Sequence, residues 1–145
     1  MRKPEFYAAV FGIIRDTDGK ILFSRRYNTW HLDGYLSLPA WHVELWEMPT
    51  EAMIRELYEE IGIMASDPKA IYFQESIHSE DGTTYFNVFF EVWTYSGEII
   101  NQEVKKCSEL SFRWFDSLEN EKVVPYVRKC LEDLEKWIHF WEIRW

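Results

Sequence analysis

Residues 47–63, E-M-P-T-E-A-M-I-R-E-L-Y-E-E-I-G-I, decide how the rest of this chain is read. Pro49 suits the first position of a helix, where a missing N–H costs nothing, and Gly62 suits the turn that ends one. Wound at about 100° per residue, the run sets Glu56, Glu59 and Glu60 within one arc of roughly 100°. Ile54, Leu57 and Ile61 fall on the opposite side. Like charges one helical turn apart repel, so an ordinary surface helix mixes its signs. Three carboxylates on one patch point instead to a hard divalent cation, Mg²⁺ before others, which takes carboxylate oxygens and keeps positions for water and phosphate.

Working outward, residues 6–15 and 20–26 are apolar runs around D-T-D-G, a hairpin turn signal. Residues 35–44 read as a further strand or extended segment leading into the helix. Residues 70–77 and 85–95 form a second strand pair across S-E-D-G-T, and residues 110–115 a short strand after a charged loop. Residues 123 to about 140 read as a second amphipathic helix. No repeat, low-complexity tract or linker divides residues 1–145, so one domain is expected. Strands outnumber helices and short turns join several of them. The expected fold class is α+β, a mixed β-sheet with helices packed on its faces in an α/β/α sandwich.

Composition narrows the function. With 47% hydrophobic and 28% charged residues, the chain reads as a globular protein with a sizeable core. A net charge of −9 argues against a nucleic-acid polymer or an anionic membrane as partner. It leaves an anionic small molecule open, because a bound cation inverts the local field. No apolar run reaches the length of a membrane span and the start lacks a signal-peptide core, so a cytoplasmic protein is expected. Cys107 and Cys130 are then expected as reduced thiols rather than a disulfide.

The helix also carries a known signature. It resembles the Nudix box, G-x5-E-x7-R-E-U-x-E-E-x-G-U, with U a bulky aliphatic residue. Glu47, Arg55, Glu56, Leu57, Glu59, Glu60, Gly62 and Ile63 fill eight of the nine defined positions in register. Trp41 stands at the first glycine. The preceding L-P-A-W-H-V-E is similar to the family's L-P-[GA]-G-H-V-E, and the order of strands and helices fits the Nudix fold. The resemblance implies a pyrophosphohydrolase, Mg²⁺-dependent with Mn²⁺ as a possible substitute, acting on a nucleoside diphosphate linked to another moiety. It implies that Glu56, Glu59 and Glu60 hold the metal with the Ala40 carbonyl as a further ligand, and that Arg55 pairs with Glu47. Glu56 is then both ligand and preferred general base. In some relatives the base lies before the last strand, where Glu103 and Glu109 are the candidates and Glu109 is the alternative preferred after Glu56. Many relatives are dimers, so a homodimer is a possible assembly.

On the substrate side, Arg25 and Arg26 end a strand just before the loop Y-N-T-W-H-L-D-G, where a guanidinium could clamp a phosphate by paired hydrogen bonds. His31 and Asp33 share that loop. His42 reads as structural, His78 and His139 carry no usable signal, and Phe86, Phe89, Phe90 and Trp93 read as core and sheet surface.

Eight tryptophans against six glycines is the unusual ratio. Trp30, Trp41, Trp46, Trp137 and Trp141 occupy places where similar sequences carry glycine. Departures that all fall on glycine positions and all go to one residue are what a codon read as glycine in the source and as tryptophan here would produce. Deliberate engineering would do the same. Glycine serves where φ is positive or a ligand approaches closely, so strain or an altered loop path is expected there. Three functions therefore compete: a Mg²⁺-dependent nucleotide hydrolase, a nucleotide-binding module of the same fold, and a variant that folds and binds metal but turns over little. Intact Glu56, Glu59 and Glu60 favour the first, and the tryptophans favour the third.

Overall fold

The computed structural model describes residues 5–79 and 81–144. In chain order the strands and helices are β1 (Phe6–Ile14), β2 (Ile21–Arg26), β3 (Leu36–Ser37), β4 (Ala40–His42) and α1 (Pro49–Ile61). There follow β5 (Met64–Ser66), β6 (Lys69–Ile77), β7 (Thr84–Val92), β8 (Thr94–Ser96), β9 (Cys107–Arg113), α2 (Pro125–Glu135) and β10 (Phe140–Arg144). A 3₁₀ turn, Phe115–Leu118, joins β9 towards α2.

The main sheet runs β10-β6-β7-β1-β4 and is mixed: β1 lies parallel to β7 and β10 parallel to β6, while β6/β7 and β1/β4 are antiparallel. Period-two alternation along β1 explains the layering. Ala9, Phe11 and Ile13 pack with Val127, Cys130 and Leu131 of α2, whereas Val10 and Ile14 pack with Ala52, Met53, Leu57 and Ile61 of α1. On β7, Phe89 joins the first group and Val88, Phe90 and Val92 the second. The helices thus cover opposite faces of one sheet, the expected α/β/α sandwich. Gly12 lets α1 come in close, since a Cβ there would stand 3.0 Å from Ile14 Cδ1 and 3.2 Å from Leu57 Cδ2. The helix stops at Gly62, whose φ of 76° turns the chain so that its N–H donates to the Tyr58 carbonyl and the Ile63 N–H to the Leu57 carbonyl.

Two expectations are corrected. The D-T-D-G turn forms, with Gly19 N–H donating to the Asp16 carbonyl at 3.1 Å and Lys20 N–H to Asp16 Oδ1 at 2.9 Å. The strands it joins nevertheless part after the single bridge Arg15–Ile21. Both edges of β1 are taken by β7 and β4, so β2 builds a second antiparallel sheet, β3-β2-β9. That parting opens a cleft between the two sheets.

The second helix ends at Glu135, not near 140. The Asp133 carbonyl collects the N–H groups of Lys136 and Ile138, Trp137 turns with φ 59°, and Phe140–Arg144 pairs with β6 instead. Trp137 and Trp141 therefore lie beyond the helix, and Trp145 lies outside the described residues. Of the five tryptophans at expected glycine positions, Trp46 (φ 66°) and Trp137 have left-handed backbone. Trp41 sits unstrained in β4 opposite Val10, and Trp141 in β10 opposite Gln74.

Candidate active site

The cleft encloses about 660 Å³. One wall comes from the main sheet through Ala9, Phe11, Ser76, Tyr85 and Asn87, and the other from Ser24, Arg26, Ser37, Cys107 and Leu110 of the second sheet. The last turn of α1 reaches it with Glu60 and Ile61, and the loop before β9 adds Glu103 and Lys106.

Three glutamates of α1 were expected on one patch, and the helix distributes them by depth. Glu60 lines the cleft, Glu56 is only 4% exposed, and the Glu59 side chain is largely open to solvent. Burial first, then the negative charges of Glu103 and Glu56, push the Glu60 carboxyl well above the usual carboxylate range; an N–H of Ala40 and the Lys106 ammonium pull the other way. Burial likewise raises Glu56, against the pull of Arg55. Glu60 and Glu103 thus bring negative charge to the cleft, the buried Glu56 adds its own charge from behind, and an Ala40 N–H reaches Glu60. Hard oxygens crowded by mutual repulsion suit a small divalent cation. As arranged, no group of three His, Cys, Asp or Glu side chains among the described residues is posed as a metal shell. Arg55 holds two of the three α1 glutamates, its Nη1 donating to both Glu56 and Glu59.

Arg55 and Glu47 meet as expected. Nε donates to Glu47 Oε1 at 2.7 Å and Nη2 to Oε2 at 3.0 Å, and Nη2 also reaches the His42 carbonyl at 3.4 Å. Glu47 Oε2 in turn accepts the Glu44 N–H at 2.9 Å. The guanidinium therefore ties α1 to β4 and to the loop between them, and it holds the Glu47 carboxyl below its ordinary range.

The remaining candidates separate. Arg26 lines the cleft, its Nε and Nη2 both donating to the His31 carbonyl. Arg25 does not: its Nε donates to Glu109 at 2.9 Å and its Nη1 to Gly34 O and Glu121. Glu109, on β9, is outside the cleft lining and is gripped by Arg25 and Arg113, which lower its carboxyl to about 2. A carboxylate so tightly held in its charged form is a weak proton acceptor at neutral pH. Of the two candidates before the last strand, Glu103 is the one brought to the cleft. Cys107 lines it as a half-buried thiol pushed up by burial, and Cys130 is on the buried face of α2; neither is in a disulfide.

Sequence reasoning passed over one side of the cleft. Tyr85 stacks on His78 (ring centroids 4.8 Å apart) and on Tyr7 (5.4 Å), with His42 at 5.8 Å. Trp41 stacks on His42 at 5.3 Å and carries the Lys106 ammonium 5.0 Å above its ring. The period-two spacing of Tyr85 and Asn87, opposite Ser76 and Gln74, was the available signal; polar residues inside otherwise apolar strands mark a face that is not plain core.

Residues 5–138 match the NUDIX domain, and the chain belongs to the Nudix family of hydrolases. Over 52 residues it is 40% identical to the 8-oxo-dGTP diphosphatase of Escherichia coli (strain K12), covering 36% of this chain and 40% of that protein, so the match spans less than half of the relative. Among solved structures it is similar to a MutT NUDIX hydrolase from Burkholderia pseudomallei (TM-score 0.80, 23% identity, 88% of this chain and 97% of that one). It is likewise similar to the E. coli ORF135 protein (TM-score 0.78, 22% identity, 92% and 91%). At these identities the structural matches speak for the fold. No helix among the described residues is long and apolar enough to cross a membrane.

Proposed function

We propose that this chain is a Mg²⁺-dependent pyrophosphohydrolase of a nucleoside diphosphate linked to another moiety, with a nucleoside triphosphate of the kind named for its E. coli relative as the first substrate to try. The observation that carries the reading is the placement of Glu60 and Glu103 in the cleft with the buried Glu56 behind them, burial first and then neighbouring carboxylate charge raising Glu56 and Glu60. In this reading Glu56, Glu59, Glu60 and the Ala40 carbonyl hold the cation, with Mn²⁺ as its substitute. Once bound, the cation offsets the charge of the diphosphate and of the attacking water.

The chain's own residues do the rest. Arg55, anchored on Glu47, fixes the end of α1 against β4 and keeps Glu56 and Glu59 within reach of the cleft. Glu56 accepts the proton of the attacking water, with Glu103 the second acceptor. Arg26 offers a guanidinium at the opposite wall for a phosphate oxygen. A homodimer and a cytoplasmic setting belong to the same reading.

One feature favours weak turnover by the chain in this form. The Trp41 indole lines the cleft beside Ala40 and shields Lys106, where a smaller residue would leave room for a diphosphate. The test is release of phosphate or pyrophosphate from a nucleotide panel with Mg²⁺ and with EDTA. Hydrolysis only with the metal supports the enzyme, binding without release supports a sensor, and neither removes the nucleotide reading.

A further inference from the structure

We propose that the floor of the cleft reads a nucleobase through Asn87, whose amide oxygen requires an N–H hydrogen from the base. The inference rests on the nucleotide reading above and names the base chemistry the site selects.

Gln74, Ser76 and Asn87 are 0%, 1% and 2% exposed, yet Ser76 and Asn87 line the cleft. Gln74 lies directly opposite Asn87 in the β6/β7 register, and Ser76 sits two residues further along the same face. The polarity of the set is fixed from outside. The Tyr126 carbonyl can only accept, so the Gln74 amide nitrogen faces it at 3.3 Å. Gln74 Oε1 then faces Asn87, and Asn87 Nδ2 donates to it at 3.3 Å and to Ser76 Oγ at 3.2 Å. Turning the Asn87 amide over would press two amide oxygens together. Both Asn87 hydrogens are therefore committed within the sheet face, and Oδ1 is what the residue presents to a ligand.

Buried polar side chains are costly unless satisfied, and two amides and a hydroxyl on one strand pair beside a cleft are a poor way to build plain core. Around them the walls are flat and aromatic: Phe11 and Tyr126 meet edge to face at 5.6 Å, and Tyr85 is stacked between His78 and Tyr7. Ring faces hold a planar heterocycle by stacking, and one oriented acceptor at the floor sets which edge it must offer. The acidic part of the cleft suits a metal-bound diphosphate; this uncharged part suits the base.

The experiment compares two nucleotides that differ at that edge alone. Hydrolysis-resistant analogues of inosine triphosphate, which carries a ring N–H, and of purine riboside triphosphate, which has none, are titrated calorimetrically with Mg²⁺. The inosine form is expected to bind about tenfold tighter or more, because a site built around a hydrogen bond rejects the analogue lacking it. In Asn87→Leu that gap is expected to close, while in Ser76→Ala it persists. Equal affinities for the unmodified chain, or a gap that survives Asn87→Leu, overturn the assignment whatever the variant does to folding. Failure of both nucleotides to bind would remove the nucleotide reading itself, a separate result.

Independently of the cleft, we infer that positions 46 and 137 are glycine in the protein as its own cells make it, a codon decoded there as glycine standing here as tryptophan. Five of the six glycines have positive φ, so this chain places glycine where the backbone turns left-handed. Asn28 and Asp67, with short polar side chains, tolerate that region; Leu32, Trp46 and Trp137 are the bulky exceptions. Both indoles are almost wholly in solvent, at 101% and 85% exposure, so packing does not account for them. The check is mass spectrometry of the protein purified from its source cells, digested with trypsin. The peptides spanning residues 27–55 and 137–144 are expected to be lighter by the replacement of indolylmethyl groups with hydrogen. Tryptophan at 46 and 137 in that material overturns the inference.

Discussion

Arg55 grips both oxygens of the Glu47 carboxylate, Nε on Oε1 at 2.7 Å and Nη2 on Oε2 at 3.0 Å, across eight residues of sequence. A planar fork on a carboxylate fixes orientation as well as distance, and a lysine offers only a point charge. Arg55→Lys is therefore expected to lower kcat by about 10- to 100-fold with KM little changed, and to cost about 1–2 kcal/mol of stability. Steady-state kinetics and urea unfolding check the two effects; unchanged kcat would remove Arg55 from the positioning role.

The acid limb of stability follows from Glu109. Arg25 and Arg113 lower its folded-state carboxyl from the ordinary 4.5 to about 2. A depressed pKa contributes stability that is present above the unfolded value and is lost as pH falls through the folded one. The contribution is therefore complete above about pH 4.5 and disappears towards pH 2. Glu109→Gln should flatten the fall in melting temperature over that window, an effect kept modest by solvent around the pair. An identical acid limb in the variant contradicts the assignment.

Glu60 has the opposite sign. Burial and the charges of Glu103 and Glu56 raise its pKa, so its ionised form opposes folding at neutral pH. Glu60→Gln should raise the melting temperature of the metal-free protein while abolishing hydrolysis. A variant both less stable and fully active would contradict both halves.

Left-handed backbone costs a bulky residue about 1–2 kcal/mol that glycine does not incur. Trp46→Gly and Trp137→Gly should each stabilise the chain by about 1 kcal/mol, and additively, because the two positions are far apart in sequence and share no secondary-structure element. Trp41→Gly with Trp46→Gly should raise the hydrolysis rate, the first by clearing the cleft and the second by relieving left-handed backbone just before Glu47. An unchanged rate in the double variant leaves the indole without that role.

Tyr72 and Asp133 provide a control outside the site. Tyr72 Oη donates to the fully buried Asp133 Oδ2 at 2.6 Å, and Lys129 Nζ takes Oδ1 at 2.6 Å. Tyr72→Phe leaves half of a buried carboxylate unpartnered, which costs about 1–3 kcal/mol. Thermal unfolding should show the loss with kcat/KM preserved.

How much of this was legible in advance depended on whether a residue's signal was local. Pro49, Gly62 and the apolar spacing between them bounded α1 almost to the residue, and apolar runs beside turn signals located β1, β6 and β7. The strand Phe140–Arg144 was hidden because an amphipathic pattern continues past Glu135, and only the capture of two N–H groups by Asp133 ends the helix. The parting of β1 from β2 was hidden because it depends on which strands compete for an edge, a contest between distant segments. In the site, Glu47, Arg55, Glu56, Glu59 and Glu60 came from one continuous helix-linked motif. Arg25 and Arg26 looked alike, and strand pleat alone sent one to Glu109 and the other to the cleft.

The lone Arg15–Ile21 bridge has a mechanical corollary. Because among the described residues no backbone ladder joins one wall of the cleft to the other, its width is governed by side chains that meet across the seam. Substitutions at Phe11, Leu110 or Tyr126 should thus retune which heterocycles are admitted while leaving each sheet's own hydrogen bonding intact.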